Sequence, residues 1–180
     1  MDKDVEKVSF DENKLASSDT PGSSTTATDD SQESAKTRLL EEIYRINERL
    51  VNVGVELDSD EDAARGREGI TVKCSFMPVR LTGPLELLLD TMLPLPPLRL
   101  LILDDYPESS PVIINDLVTY EREETEEISE EVKERFNRHI GALSEPICLQ
   151  EMAGSWQFFI TEVINEYGQK LGYPTFSSKK

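Results

Sequence analysis

"PPLRLLILDDYPESSPVIIND", residues 96–116, is the stretch whose reading decides the fold. A leucine-rich run closes on Asp104-Asp105. The chain then turns through Tyr106-Pro107-Glu108-Ser109-Ser110-Pro111, and apolar residues resume at Val112. Leu98 to Leu103 is apolar on both faces apart from Arg99, the pattern of a strand inside a sheet rather than at its edge. Pro107 fixes its own φ and pushes Tyr106 toward extended backbone, while Pro111 enters the next strand without an N–H for the ladder. The Tyr106 ring can lie across both prolines, with its hydroxyl in reach of a backbone partner. Tyr106, Pro107 and Pro111 therefore predict a rigid turn between two antiparallel strands.

Working outward, "GITVKCSF" alternates: Ile70, Val72, Cys74 and Phe76 share one face, Thr71, Lys73 and Ser75 the other. Cys74 is then a small core residue. A second strand is predicted over Leu81–Leu89, after the turn "LTGP", and the strand following the Tyr106 turn runs from Val112 to about Tyr120. The short links make these four strands an antiparallel meander. Residues 84–103 hold ten leucines in twenty, but Glu86, Asp90, Pro94, Pro96, Pro97 and Arg99 interrupt them. Two core strands around a loop at 90–97 fit that run better than a membrane span.

Helices flank the sheet. In "TRLLEEIYRINERLVNV" the apolar residues Leu39, Ile43, Ile46, Leu50 and Val53 form one helical stripe, followed by an exposed acidic loop, "DSDEDAARGREG", ending at Gly66 and Gly69. "ISEEVKERFNRHIGAL" predicts a helix with Ser129 as N-cap and Val132, Phe136, Ile140 and Leu143 as its stripe. From Leu149 a last helix puts Met152, Trp156, Phe159, Ile160, Val163 and Tyr167 on one side, with Gly168 and Gly172 at its end. Phe158 falls off that stripe. The helix carries more aromatic area than one face buries, so Trp156, Phe158, Phe159 and Tyr167 form the candidate partner face, together with the acidic surface from Glu121 to Glu131.

Residues 1–36 contain eight apolar residues against eleven Ser or Thr, too little to offset ordering entropy, and read as a disordered acidic tail. The folded domain is assigned to residues 37–175. Lys plus Arg number 19 and Asp plus Glu 36, a net charge of −17. Direct nucleic-acid binding needs a basic face; an acidic surface suits basic protein partners. Cys74 and Cys148 are far apart, and with the single His139 they cannot complete a four-ligand metal site without carboxylates. No cofactor, metal, membrane contact or small-molecule substrate is expected, and the lone cysteines read as reduced thiols inside a cell.

The order helix, four-strand meander, Tyr-Pro-x-x-x-Pro, helix, helix resembles the RWD domain and its relative, the ubiquitin-conjugating fold. The resemblance implies an α+β fold. "ICLQEMAGSW" even places Cys148 and Trp156 at the enzyme's spacing. The conjugating enzymes also need a His-Pro-Asn tripeptide about ten residues upstream to support the oxyanion. Here "NRHIGAL" has His139 alone, and acidic Glu145 and Glu151 flank the cysteine. A packed helix-start cysteine is the preferred reading. Over residues 37–180 the chain resembles the C-terminal domain of Mediator subunit 15, its plant form in particular. The matching stretches are "EEIYRINERLV", "VELDSDED", "EGITVKCSFMPVRL", "PPLRLLILDDYPESSP", "SEPICLQEMAGSWQ" and "EYGQKLGYPTFSSKK". That resemblance implies a nuclear transcription coactivator component with no catalytic residues, anchored among other Mediator tail subunits. The family's KIX domain and Gln-rich region are missing, so activator binding is not implied. A stand-alone RWD-type interaction domain and a ubiquitin-conjugating enzyme variant are the alternatives.

Overall fold

Strand β3 (Leu98–Ile102) lies inside an antiparallel sheet in the computed structural model of the chain, which describes residues 26–59, 68–78, 95–115, 120 and 122–172, with side chains from residue 33 onward. Among the described residues the sheet has four strands in the order β1 (Val53–Leu57), β2 (Ile70–Phe76), β3, β4 (Val112–Ile114). The elements run helix, four-strand meander, helix, helix, as expected: α1 (Thr26–Arg49) precedes the sheet, and α2 (Glu123–Ile140) and α3 (Leu149–Lys170) follow it. Val72 stands between Leu57 and Leu100, and Cys74 between Val55 and Leu98. Val72, Cys74 and Leu100 are fully buried, so the alternation seen in "GITVKCSF" does mark the core face. Burial pushes the Cys74 thiol up to about 12, as befits an inert core residue.

The first strand differs from its expected position. The expected strand at Leu81–Leu89 lies outside the described residues; the described sheet instead begins with β1, which takes Val53 from the expected end of α1 and runs up to the acidic loop. Helix α1 stops at Arg49, and Val53 opens β1. A step of three residues from Leu50 to Val53 satisfies a helical stripe, but Val53, Val55 and Leu57 also alternate, and pairing with β2 wins. Side chains cover part of the outer edge of this strand. Asn47 on α1 donates from Nδ2 to the Val55 carbonyl and accepts the Val55 N–H at Oδ1, both at 2.8 Å. Gln157 Oε1 on α3 accepts the N–H groups of Val51 (3.0 Å) and Asn52 (2.9 Å). The Asn47 amide stands in for a neighbouring strand at Val55, and Gln157 covers the residues just before β1, so part of the open edge along which sheets aggregate is occupied. On the face away from the core, Lys73 pairs with Glu56 (2.8 Å) and Arg99 with Asp58 (2.9 Å), which is how a cation is accommodated on an internal strand. Gly69, at φ 134°, leads into β2; a Cβ there would stand 2.4 Å from the Ile102 carbonyl oxygen, so the chain needs glycine at this crossing.

Helix α3 is the middle layer. It packs on β1 and β2, touches α1, and carries α2 on its other side, while α1 covers β1. The α1 stripe of Leu39, Ile43 and Ile46 is buried and Leu50 partly so; the helix extends back to Thr26, with its side chains from Glu33 to Arg38 exposed. Helix α2 starts six residues before the expected cap. Arg122 is the N-cap, Glu123, Glu124 and Glu126 occupy the positive first turn, and Ser129 is a buried residue inside the helix. Thr125 and Ser129 are small enough to extend the packed face that Ile128, Val132 and Phe136 define. Leu143 lies in the turn after α2 and is exposed, not part of the stripe. At the far end of α3, Gly168 is buried within the helix, and Gly172 alone of the two adopts positive φ (80°). Among the described residues no helix is long and apolar enough to cross a membrane.

Candidate functional site

The Tyr106 turn is a docking post for α3. Tyr106 is partly buried against the core. Its hydroxyl accepts the Leu149 N–H (3.0 Å) and donates to Glu42 Oε1 on α1 (2.8 Å). Four residues on, Ser110 Oγ accepts the Ile147 N–H (2.8 Å). Leu149 is the first residue of α3 and is fully buried, so its orphan N–H needs a partner, and the Tyr106 hydroxyl provides it. Burial, helped by Glu42, pushes the phenol well above its usual range, which keeps the proton that Glu42 accepts. Pro107 is exposed and Pro111 buried. One turn thus fixes where α3 begins relative to both the sheet and α1.

Cys148 sits at the N-cap of α3, between these two anchors. Its side chain accepts the backbone N–H of Glu151, while Glu151 Oε2 accepts the Cys148 N–H (3.1 Å), a reciprocal capping box with sulfur in place of the usual hydroxyl. Burial, with the Glu151 carboxylate adding to it, pushes the thiol up, away from the thiolate that a nucleophile requires. His139, which lies at the position of the conjugating enzymes' tripeptide, packs instead on the edge of Phe159, 5.4 Å between centroids.

The pairing of α2 with α3 has an apolar and a charged part. Phe136 meets Trp156 edge to face, 5.2 Å between centroids and 82° between planes. Beside them Arg135 reaches Glu131 (2.7 Å) on its own helix, and Glu162 (3.1 Å) and both oxygens of Glu166 (2.9 and 2.8 Å) across the gap. The guanidinium holds the Glu166 carboxyl below its ordinary value.

The four aromatic residues of the candidate face separate in the structure. Trp156 is 4% exposed and belongs to the core, with its ring against Phe136. Phe159 and Tyr167 are half-buried, packed against that core. Phe158 is 59% exposed. It does not cover Phe136, the place Trp156 occupies; its ring rests edge-on against Phe159, 5.2 Å between centroids. Burial and the nearby Glu124 and Glu127 carboxylates push the Tyr167 hydroxyl up, which places that ring under the acidic start of α2. A second exposed pair, Leu40 and Tyr44 on the outer side of α1, is absent from the candidate face expected above. Their four-residue spacing, off the Leu39–Ile43–Ile46 stripe, was the available signal.

The class of protein is therefore an α+β domain with a cysteine used as a helix cap and aromatic side chains, Tyr44 and Phe158, held outward from packed helices. A family model for the C-terminal domain of the ARC105/Med15 mediator subunit matches residues 85–162, the segment containing β3, the Tyr106 turn, α2 and much of α3. The chain is 39% identical over 92% of its length to Mediator of RNA polymerase II transcription subunit 15a of Arabidopsis thaliana. It is 32% identical over 78% of its length to the same plant's Probable mediator of RNA polymerase II transcription subunit 15c. The chain belongs to the Mediator subunit 15 family. These matches span 14% and 16% of the two relatives' lengths. Mediator subunit families of this kind are in general non-catalytic.

Proposed function

We propose that this chain is a docking module of the Mediator complex, a coactivator component in the regulation of RNA polymerase II transcription, working in the nucleus through contacts with other tail-module subunits. The observation that carries the reading is similarity to a Mediator subunit along 92% of the chain, at 39% identity. Residues 37–175 form the docking domain, and residues 1–36 a tail whose last eleven residues continue α1. Phe158 is the exposed part of the partner face, with Phe159 packed against it, while Trp156 lies in the core against Phe136 and Tyr167 by the start of α2. The net charge of −17 favours protein partners over nucleic acid.

Cys148 has a capping role and no catalytic one. Incubating the chain with ubiquitin-activating enzyme, ATP and ubiquitin should give no reducible adduct. A thioester band that disappears in Cys148→Ser would establish an enzyme instead.

The docking reading is tested by affinity purification from nuclei expressing the tagged chain. Mediator tail subunits should be recovered with the parent. Phe158→Ser, which alters an exposed side chain, should keep the parent's melting behaviour and weaken recovery by about tenfold, the scale of a single interface hot spot. A folded parent that recovers no Mediator subunit would leave the stand-alone interaction domain as the better account.

A further inference from the structure

Glycine at position 154 is not explained by contacts among the described residues. It lies in the interior of α3, where glycine is among the worst helix formers. The other helix-interior glycine of α3, Gly168, is buried. Gly154 is not: a Cβ built there meets nothing within 4 Å among the described residues. Packing among the described residues does not demand its absence.

One helical turn later, on the same face, stands Phe158, 59% exposed. Phe159 braces its ring edge-on, and His139 braces Phe159 in turn. A projecting ring, held in place, thus adjoins bare backbone. Glu151, three residues before Gly154, and Glu162, four residues after Phe158, flank the pair along the helix. These two carboxylates are the acidic groups beside the pair on α3; the carboxylates of α2 gather at its start, by Tyr167, while His139 at its end faces Phe159.

We infer that Gly154 and Phe158 form a notch that receives an amphipathic helix of a partner protein, one with Lys or Arg beside its apolar stripe. The missing Cβ lets a second helix approach closely, since interaxial distance is set by the side chains at the crossing. Phe158 enters the apolar stripe of the partner, whose basic flanks meet Glu151 and the outer side of Glu162, the carboxylate that Arg135 holds in place. A second copy of this chain is the poorer occupant, because it would bring a net −17 of its own against this surface. The inference names the docking surface and partner chemistry of the proposed function and rests on it.

Gly154→Gln separates binding from folding. Glutamine is the better helix former and has open space at this position, so the variant should melt about 2–4 °C above the parent. The probes are two labelled helical peptides of about 18 residues. They share one apolar stripe, flanked by Lys in the first and Glu in the second. In anisotropy titrations the Lys-flanked peptide should bind the full chain and lose about tenfold in affinity with both Gly154→Gln and Phe158→Ser. The Glu-flanked peptide should not bind. A Lys-flanked peptide that fails to bind, or binds all three chains equally, overturns the notch. In nuclei, equal recovery of Mediator by the parent and Gly154→Gln overturns the notch while leaving the docking function in place. Failure of the parent to recover Mediator removes the docking function, and the peptide titration then decides the notch independently.

Discussion

Tyr106→Ala should destabilise the domain by about 3 kcal/mol, the range for a packed aromatic side chain that also carries hydrogen bonds. Two losses combine. The ring leaves the core between the sheet and α3, and the buried Leu149 N–H loses its acceptor at the first residue of α3. Tyr106→Phe separates them: it keeps the ring and removes the hydroxyl that joins Leu149 to Glu42, and should cost roughly 1–2 kcal/mol. Denaturant melts of the three proteins measure both. A Tyr106→Ala midpoint equal to the parent's would show that the turn is not a packed anchor for α3.

Phe136→Ala has the largest expected effect, a loss of about 4 kcal/mol, in the range for a fully buried aromatic. Phe136 is 1% exposed and is the ring against which Trp156 packs. Helix α2 packs chiefly on α3, so little else holds it in place besides the Arg135 bridges to Glu162 and Glu166. Those carboxylates are each 40% or more exposed, and solvent-screened bridges of this kind contribute modestly. The variant should therefore lose hydrogen-exchange protection first in α2, while the amides of β2 and β3 stay protected up to global unfolding. A cost under about 1 kcal/mol would mean that the charged bridges, not the aromatic pair, hold the two helices together.

Much of this arrangement was legible in the residues, for reasons that can be named. Arg99, alone in an apolar run, marked β3 as internal, and the structure pairs it with Asp58 on the face away from the core. Tyr106 between an acidic pair and two prolines signalled an ordered turn. Local pattern could not show what its hydroxyl would meet, because Glu42 and Leu149 lie 64 and 43 residues away in sequence. Strand β1 was hidden because Val53 satisfied two periods at once, and the Asn47 and Gln157 amides that cover part of its edge and the residues before it are tertiary contacts. The start of α2 was hidden because its first turn is acidic and its buried Thr125 and Ser129 are polar. For the candidate face, the helical wheel separated Phe158 from Trp156 correctly, but aromatic content alone grouped a core tryptophan with a surface phenylalanine. Gly154 was silent in the sequence; only the space left around its missing Cβ by the described residues gives it meaning.

The central claim, that this domain works docked in Mediator, is tested most directly by velocity sedimentation of nuclear extract containing the tagged chain at native level. Alone, the chain has a mass of 20.3 kDa and would stay near the top of the gradient. The docking account requires a distinct fraction to sediment with the Mediator subunits, and that fraction to move to the top when Phe158 is replaced by serine. A parent chain found entirely at the top, folded and free of Mediator subunits, would contradict it.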